Sequence, residues 1–287
     1  MPCRYICDNI ADAPFYLNYK FFKFSCHCVR LGAYIQVVKL VARTEASSSA
    51  LRFRAFWNMA NVKIEILYED DDILVVDKPA GIYVHPAPGH EEGTLTDFLL
   101  PDHPEMAHVG SAERPGVVHR LDCDTSGVMV FARTQRAYLA LRRAFESHSA
   151  VRKTYLAILH GSPKPRSGTL ETLIGRKPWD PRRMAVVEKG GARAVTRWNV
   201  LARQGPIALV EFVIETGRMH QIRVHAAHLG HPVAGDPLYG DAAKDRRMAN
   251  PPRRLLLHAL GLEFPHPVTG EVLSFLAEPP PDITYAR

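Results

Sequence analysis

From Met59 onward, apolar and polar positions fall into short blocks whose period identifies them. "VKIEIL" (62–67), "DILVVDKP" (72–79) and "GVMVFART" (127–134) are apolar or alternating runs bounded by turn residues, the pattern of strands. "TQRAYLALRRAFESHS" (134–149) instead places apolar residues three and four apart and predicts a helix, with Thr134 in position to cap it. Strand patterns return in "RKTYLAILHG" (152–161), "VTRWNVLA" (195–202) and "IALVEFVIET" (207–216). A second helix is predicted over "RMHQIRVHAAHLG" (218–230), stopped by Gly230 and Pro232. "RLLLHALGLEF" (254–264) and "EVLSFLAEPP" (271–280) complete the set as strands. Strands dominate and do not alternate regularly with helices, so the expected class is α+β with a largely antiparallel sheet.

Residues 1–58 follow no such period. "FYLNYKFFKF" mixes aromatic and basic residues, and "TEASSSALRFRAFWN" follows it. Two parts are therefore expected: an atypical segment over 1–58, read as disordered or as an artefact of gene-start assignment, and a folded domain over 59–287. An accessory segment and a targeting peptide are the competing readings of the first part. Charge follows the same division. Of the formal net charge of +6, residues 1–58 carry +5, and the rest holds 28 Lys and Arg against 27 Asp and Glu. Overall basicity is thus weak evidence for a polyanionic partner. Nucleic-acid binding by the main body would have to use local patches such as "RRMAVVEKGGAR" (182–193) and "DRRMANPPRR" (245–254).

Four of the five cysteines (Cys3, Cys7, Cys26, Cys28) precede residue 29, which leaves Cys123 alone in the body. A single thiol implies no disulfide framework and favours a reducing, cytoplasmic setting. The N-terminal cysteines with His27 fit no standard zinc spacing. No run of 18 apolar residues and no signal-peptide pattern occurs, so no membrane association is expected.

Candidate chemistry concentrates in "VVHRLDCDTSG" (117–127). If this run is extended, Arg120 and Asp122 share one side and His119 and Leu121 the other, with a polar turn placing the pair at a strand end. A structural turn with a surface ion pair would read the same way. "HQIRVHAAHLGH" puts His220, Arg223 and Ala227 on one helical face and leaves Ile222, Ala226 and Leu229 for packing. Its histidines, His220, His225, His228 and His231, raise a metallohydrolase reading, against which the helix stop before His231 and the lack of a carboxylate inside the cluster both argue. A retaining glycosidase would need a second carboxylate about 5 Å from Asp122. A non-catalytic RNA-binding module is the remaining alternative.

The stretch "HRLDCDTSGVMVFA" resembles the signature of the RluA-type pseudouridine synthases. The likeness continues in order through "KTYLAILHG", "GRMHQIRVHAAHLGHPVAGDPLYG" and "LLLHA", and the earlier "DDILVVDKPAGIYVHP" fits too. It spans nearly all of residues 62–280 and lacks the S4-type RNA-binding domain of many relatives, as in the short members of the family. The resemblance implies the pseudouridine synthase fold, a mixed, largely antiparallel sheet with a central catalytic cleft flanked by helices. It implies isomerisation of uridine to pseudouridine in structured ribosomal or transfer RNA, by a monomer, with no cofactor and no metal.

By the same resemblance Asp122 is the catalytic carboxylate, Arg223 its charge partner, and Tyr155 the platform under the base. The guanidinium fork of Arg223 could hold a carboxylate through two parallel hydrogen bonds. Arg120 is expected to enter the RNA where the target base leaves, and Leu256 or Leu257 to wall the uracil pocket. Arg182, Arg183, Arg253 and Arg254 are the expected phosphate contacts.

Overall fold

The computed structural model describes residues 63–147, 150–177 and 179–283. The boundary expected at Met59, the segment before it and its four cysteines lie outside the described residues. Strands β1 (Glu65–Glu69) and β2 (Ile73–Lys78) come first, followed by a short helix α1 (Leu95–Leu99) and a two-stranded ribbon of β3 (Gly110–Ser111) and β4 (Arg114–Pro115). β5 (Ser126–Ala132), α2 (Gln135–Glu146) and β6 (Arg152–His160) follow, then the long strands β7 (Ser167–Lys177), β8 (Asp180–Val187), β9 (Ala192–Gln204) and β10 (Ile207–Ile214). Helices α3 (Gln221–His228) and α4 (Ala242–Asp245) precede β11 (Leu257–Pro265) and β12 (Val272–Leu276).

One sheet runs in the order β1-β2-β5-β11-β6-β10-β9-β7-β8, with β12 also pairing β11. Every pairing in it is antiparallel except β5 with β11. The expected α+β class with a largely antiparallel, mixed sheet is what the chain forms. Side chains alternate across it as a pleat requires. Leu74, Val76, Met129, Phe131, Tyr155, Ala157 and Leu257 pack on one face against α1 and the Ile222 and Ala226 side of α3. Ile73, Val75, Val128 and Val130 pack on the other face, against Ala137 and Leu141 of α2. Central strands buried on both sides explain why "ILVV" and "GVMVFA" read as continuous apolar runs. Burial of each such side chain contributes on the order of 1.5–3 kcal/mol.

Thr134 caps α2 as expected, its hydroxyl accepting the Ala137 N–H, and it also donates to Asp72. Gly127 opens the one parallel pairing: its φ is 119°, and a Cβ there would lie 2.2 Å from the Ala259 carbonyl oxygen. Only glycine lets β5 and β11 approach so closely beside the Asp122 turn. The sequence patterns missed β3, β4, β7, β8, α1 and α4. Strands β7 and β8 form an outer hairpin with few fully buried positions, so their apolar alternation is diluted by exposed polar residues.

Candidate active site

"VVHRLD" does not form the extended strand that its apolar start suggests. Val117 makes a single bridge with Phe131, and the chain then bends. His119 replaces a ladder partner: its Nε2 accepts the Val130 N–H at 3.1 Å while its ring stacks on Phe145. Burial pushes its pKa down to about 3, which keeps it neutral as that acceptor. Arg120 and Asp122 still reach one cleft, but Leu121 lines it too.

Asp122 opens a tight turn in which the Thr125 N–H returns to its carbonyl. That turn is anchored from below. The fully buried Lys78 ammonium donates to the carbonyls of Pro79, Ile82 and Cys123 at 2.8, 2.8 and 2.9 Å, and the Gly81 N–H reaches the same Cys123 carbonyl. Burial lowers the pKa of Lys78 to about 8. It still carries its proton at neutral pH, and a buried ammonium of this kind requires the three acceptors it has.

The cleft over the turn measures about 160 Å³ and is bounded by Asp122, Tyr155, His220, Arg223 and Leu257, with Arg120 exposed at its edge. Arg223 donates through Nη1 to Asp122 Oδ2 at 2.9 Å. Its fork goes elsewhere, to Asp236, through Nε at 2.7 Å and Nη2 at 2.8 Å. The expectation that Arg223 grips Asp122 with two parallel hydrogen bonds is therefore corrected: the bidentate partner is Asp236, and Asp122 receives one bond. Asp236 is shut away from solvent and also accepts the N–H groups of Leu238 and Tyr239. Burial opposes charge on both members of this pair, and their mutual hydrogen bonds outweigh it, so Arg223 is held more basic than usual and Asp236 more acidic. Locked behind the arginine, Asp236 cannot serve as the second carboxylate of a glycosidase.

Helix α3 begins at Gln221, so His220 precedes it instead of sharing its face with Arg223. Gln221 fixes the approach: its amide donates to Thr196 and the Val195 carbonyl, and its Oε1 accepts from Thr216 and the Arg218 N–H. Three of the four histidines considered for metal separate to different partners. His220 meets Tyr239, His225 spans Thr172 and Thr196, and His231 meets the His160 carbonyl, after Gly230 has ended the helix.

Tyr155 sits on β6 opposite Phe212, nearly buried at the cleft floor. Burial and then the nearby Asp122 charge raise its pKa, so the phenol is neutral. Leu257 lines the cleft, whereas its neighbour Leu256 faces away into a cluster with Leu156, Ile158 and Ile283. Arg254 is committed to Asp282 through Nε and Nη2 at 2.7 and 2.6 Å and borders a different cavity, and Arg253 beside it is exposed. Arg182 is exposed on β8, and Arg183 lies 5.7 Å over the Tyr239 ring. Sequence reasoning named neither Asp236 nor Lys78 nor Trp179, although "AGDPLYG" and "DKPAG" lay inside the family motifs. Trp179 stands 90 % exposed at the turn joining β7 to β8.

The chain as a whole is similar to known proteins in sequence and in fold. Residues 72–228 match the RNA pseudouridylate synthase family. The chain belongs to that family. It is 45 % identical over 222 residues to an uncharacterized RNA pseudouridine synthase of Synechocystis sp., covering 77 % of this chain and 67 % of that protein. It is 44 % identical over 227 residues to the ribosomal large subunit pseudouridine synthase D of Neisseria meningitidis serogroup B, covering 77 % and 59 %. The chain thus spans roughly three fifths to two thirds of the length of these relatives. Among solved structures, human RNA pseudouridylate synthase domain containing 1 superposes with a TM-score of 0.62 at 29 % identity, over 75 % of this chain and 83 % of that one. Human RNA pseudouridylate synthase domain containing 4 gives 0.61 at 30 %, over 76 % and 90 %. The fold is that of the RNA pseudouridine synthases, and the class of activity is that of an RNA-modifying isomerase.

Proposed function

We propose that this chain converts specific uridines of structured RNA to pseudouridine, with Asp122 as the reactive carboxylate. The reaction breaks the bond between ribose and uracil nitrogen, turns the base while it stays bound, and joins ribose to carbon 5. The observation that carries this reading is the Asp122–Arg223 pair at the floor of a cleft shared with a neutral tyrosine. Arg223 engages Oδ2 of the carboxylate, whose other oxygen lies toward His220 at 4.0 Å. Tyr155 offers a stacking face for uracil, and Leu257, not Leu256, its apolar wall. A uridine must leave its stack to enter, at a cost of a few kcal/mol. Arg120, exposed at the edge, is placed to fill the vacated position.

The RNA substrate is the partner proposed, ribosomal or transfer RNA, met by a monomer in the cytoplasm. No helix among the described residues is long and apolar enough to cross a membrane. The β7–β8 hairpin is the candidate RNA-contacting arm. Strand β8 meets the site, where the Met184 N–H donates to the Tyr239 hydroxyl, and the hairpin turn carries Trp179 with Lys177 and Arg182 nearby. Exposed aromatics beside guanidinium groups suit unpaired bases and phosphates. Arg182, Arg183 and Arg253 remain proposed phosphate contacts, and Arg254 reaches RNA only by giving up Asp282. Asp122→Asn tests the whole reading. The amide preserves shape but not charge, so RNA binding should persist while pseudouridine formation ceases, and EDTA should leave wild-type activity intact. Pseudouridine made by the Asp122→Asn protein at more than a trace would refute the assignment.

A further inference from the structure

His220 occupies a backbone position that does not suit it. Its φ and ψ are 57° and 21°, and among the described residues it is the only one besides glycine with positive φ. The left-handed region is unfavourable for a residue with a Cβ, and such strain gathers at functional sites. The imidazole does not repay the strain by capping α3, to which it makes no side-chain hydrogen bond. It faces the cleft, with Nδ1 2.9 Å from the Tyr239 hydroxyl and Nε2 4.0 Å from Asp122 Oδ1.

The hydrogen bonds around Tyr239 decide which ring nitrogen carries the proton. Its oxygen receives the Met184 backbone N–H at 2.8 Å, a group that can only donate. With one lone pair occupied in this way, the phenol's own hydrogen is free to point at His220 Nδ1, the arrangement that puts the imidazole proton on Nε2. Asp122 is thereby faced on both oxygens: Arg223 donates to Oδ2 at 2.9 Å, and the His220 N–H stands opposite Oδ1. We propose that Tyr239 and His220 act as a positioning pair, Tyr239 fixing the Nε2–H tautomer and that N–H setting the torsion of Asp122 so that Oδ1 is presented to the substrate.

This role rests on the reading of Asp122 as the reactive carboxylate. A neutral N–H suits the task, because it steers Oδ1 without neutralising it as an imidazolium would. The surroundings keep the ring neutral. Burial is the largest influence and opposes protonation; the Asp122 charge comes next and favours it, followed by Arg223 against, Asp236 for and Arg120 against. The 4.0 Å gap exceeds a hydrogen bond and is closed by a small rotation of either side chain.

Two measurements test the pair. In protein labelled with 15N-histidine, long-range 1H–15N correlation distinguishes the two tautomers, and the signals of His220 are those missing from His220→Asn. The expected result is an Nε2–H form at neutral pH in the wild type, giving way to a mixture in Tyr239→Phe. An Nδ1–H form or an imidazolium in the wild type would overturn the proposal. Kinetics on an RNA that the wild type converts give the second reading. Tyr239→Phe keeps the ring that lies 5.2 Å from the Arg223 guanidinium. It should nevertheless lower kcat by about 10-fold to 100-fold with KM little changed, the scale set by slight misplacement of a reacting group.

The histidine variants then separate positioning from backbone tolerance. Asparagine suits positive φ better than glutamine, so a purely structural role ranks His220→Asn above His220→Gln in both stability and rate. Glutamine alone carries an N–H out to where Nε2 stands, so the proposal ranks His220→Gln above His220→Asn in kcat. The structural order in kcat would sink it, while an inactive Asp122→Asn would still uphold the functional reading beneath.

Discussion

The ammonium of Lys78 lies 2.9 Å from the backbone carbonyl of Cys123, 45 residues along the chain and next to Asp122. A buried charge in β2 thus holds the turn that presents the carboxylate. Lys78→Met would leave the Pro79 and Ile82 carbonyls without this donor, at about 1–3 kcal/mol for each buried group left unpaired, partly offset by no longer burying a charge. The expected outcome is a net loss of about 2 kcal/mol in urea unfolding together with a fall in kcat. Unchanged stability and full turnover would show that the anchor is dispensable.

Asp236 holds the fork of Arg223, so it should matter although it does not face the cleft. Asp236→Asn removes the charge and offers an amide N–H where an acceptor is needed. Breaking a buried pair from one side costs about 3–5 kcal/mol, and a loss of unfolding free energy of that size, accompanied by a lower thermal midpoint, is expected. Arg223→Lys should be nearly as harmful to the rate, because one ammonium cannot hold Asp236 twice and still reach Asp122. Single-turnover rates at saturating RNA close to wild type in either variant would contradict the shared-arginine arrangement.

Trp179 supplies a direct reporter. Trp198 is 8 % exposed, so an RNA base stacking on the hairpin turn should quench the emission of Trp179 in particular. Trp179→Ala should lose that quenching and weaken RNA binding by about 1–3 kcal/mol, with the saturated rate unchanged. Trp179→Phe should recover part of the affinity. Equal affinity in the alanine variant would remove the hairpin turn from the RNA path.

Acid should weaken the fold through buried histidines. Burial lowers the pKa of His225 from 6.5 to about 4. Between those values the unfolded chain takes up a proton that the folded chain refuses, so stability falls as pH drops from 6.5 toward 4, by about 1.4 kcal/mol per unit for this group. Asp77, raised to about 6 chiefly by burial, works the opposite way over part of that window. The comparison is therefore between wild type and His225→Gln, whose stabilities should converge as pH falls. Parallel curves would show that His225 is not the acid-sensitive group.

The residues that line the cleft were easier to read from the chain than the residues that hold them. Asp122, Tyr155, Arg223 and Leu257 stand in motifs whose order was plain, and the central strands announced themselves by unbroken apolar runs. The bond between Arg223 and Asp122 joins residues 101 apart, a separation over which local periodicity carries no information. The fork on Asp236 spans only 13 residues but crosses a helix end and a turn. Gly235 marks that turn, since its φ is 72° and a Cβ would strike the Arg254 carbonyl oxygen, yet a lone glycine does not say which neighbour it serves. Arg254 shows the converse: a residue of the basic cluster pairs within the chain, with Asp282, 28 residues further on, a partner that local spacing does not indicate.

Strand β11 lies between β5 and β6, so the sheet is two halves until residues 257–265 join them. Asp122 enters β5 in the first half, while Tyr155 on β6 and Arg223 beyond β10 belong to the second. During synthesis both halves leave the ribosome before the strand that unites them. A chain stalled short of β11 would carry Asp122, Tyr155 and Arg223 and yet lack both Leu257 and the strand that joins the two halves of the sheet.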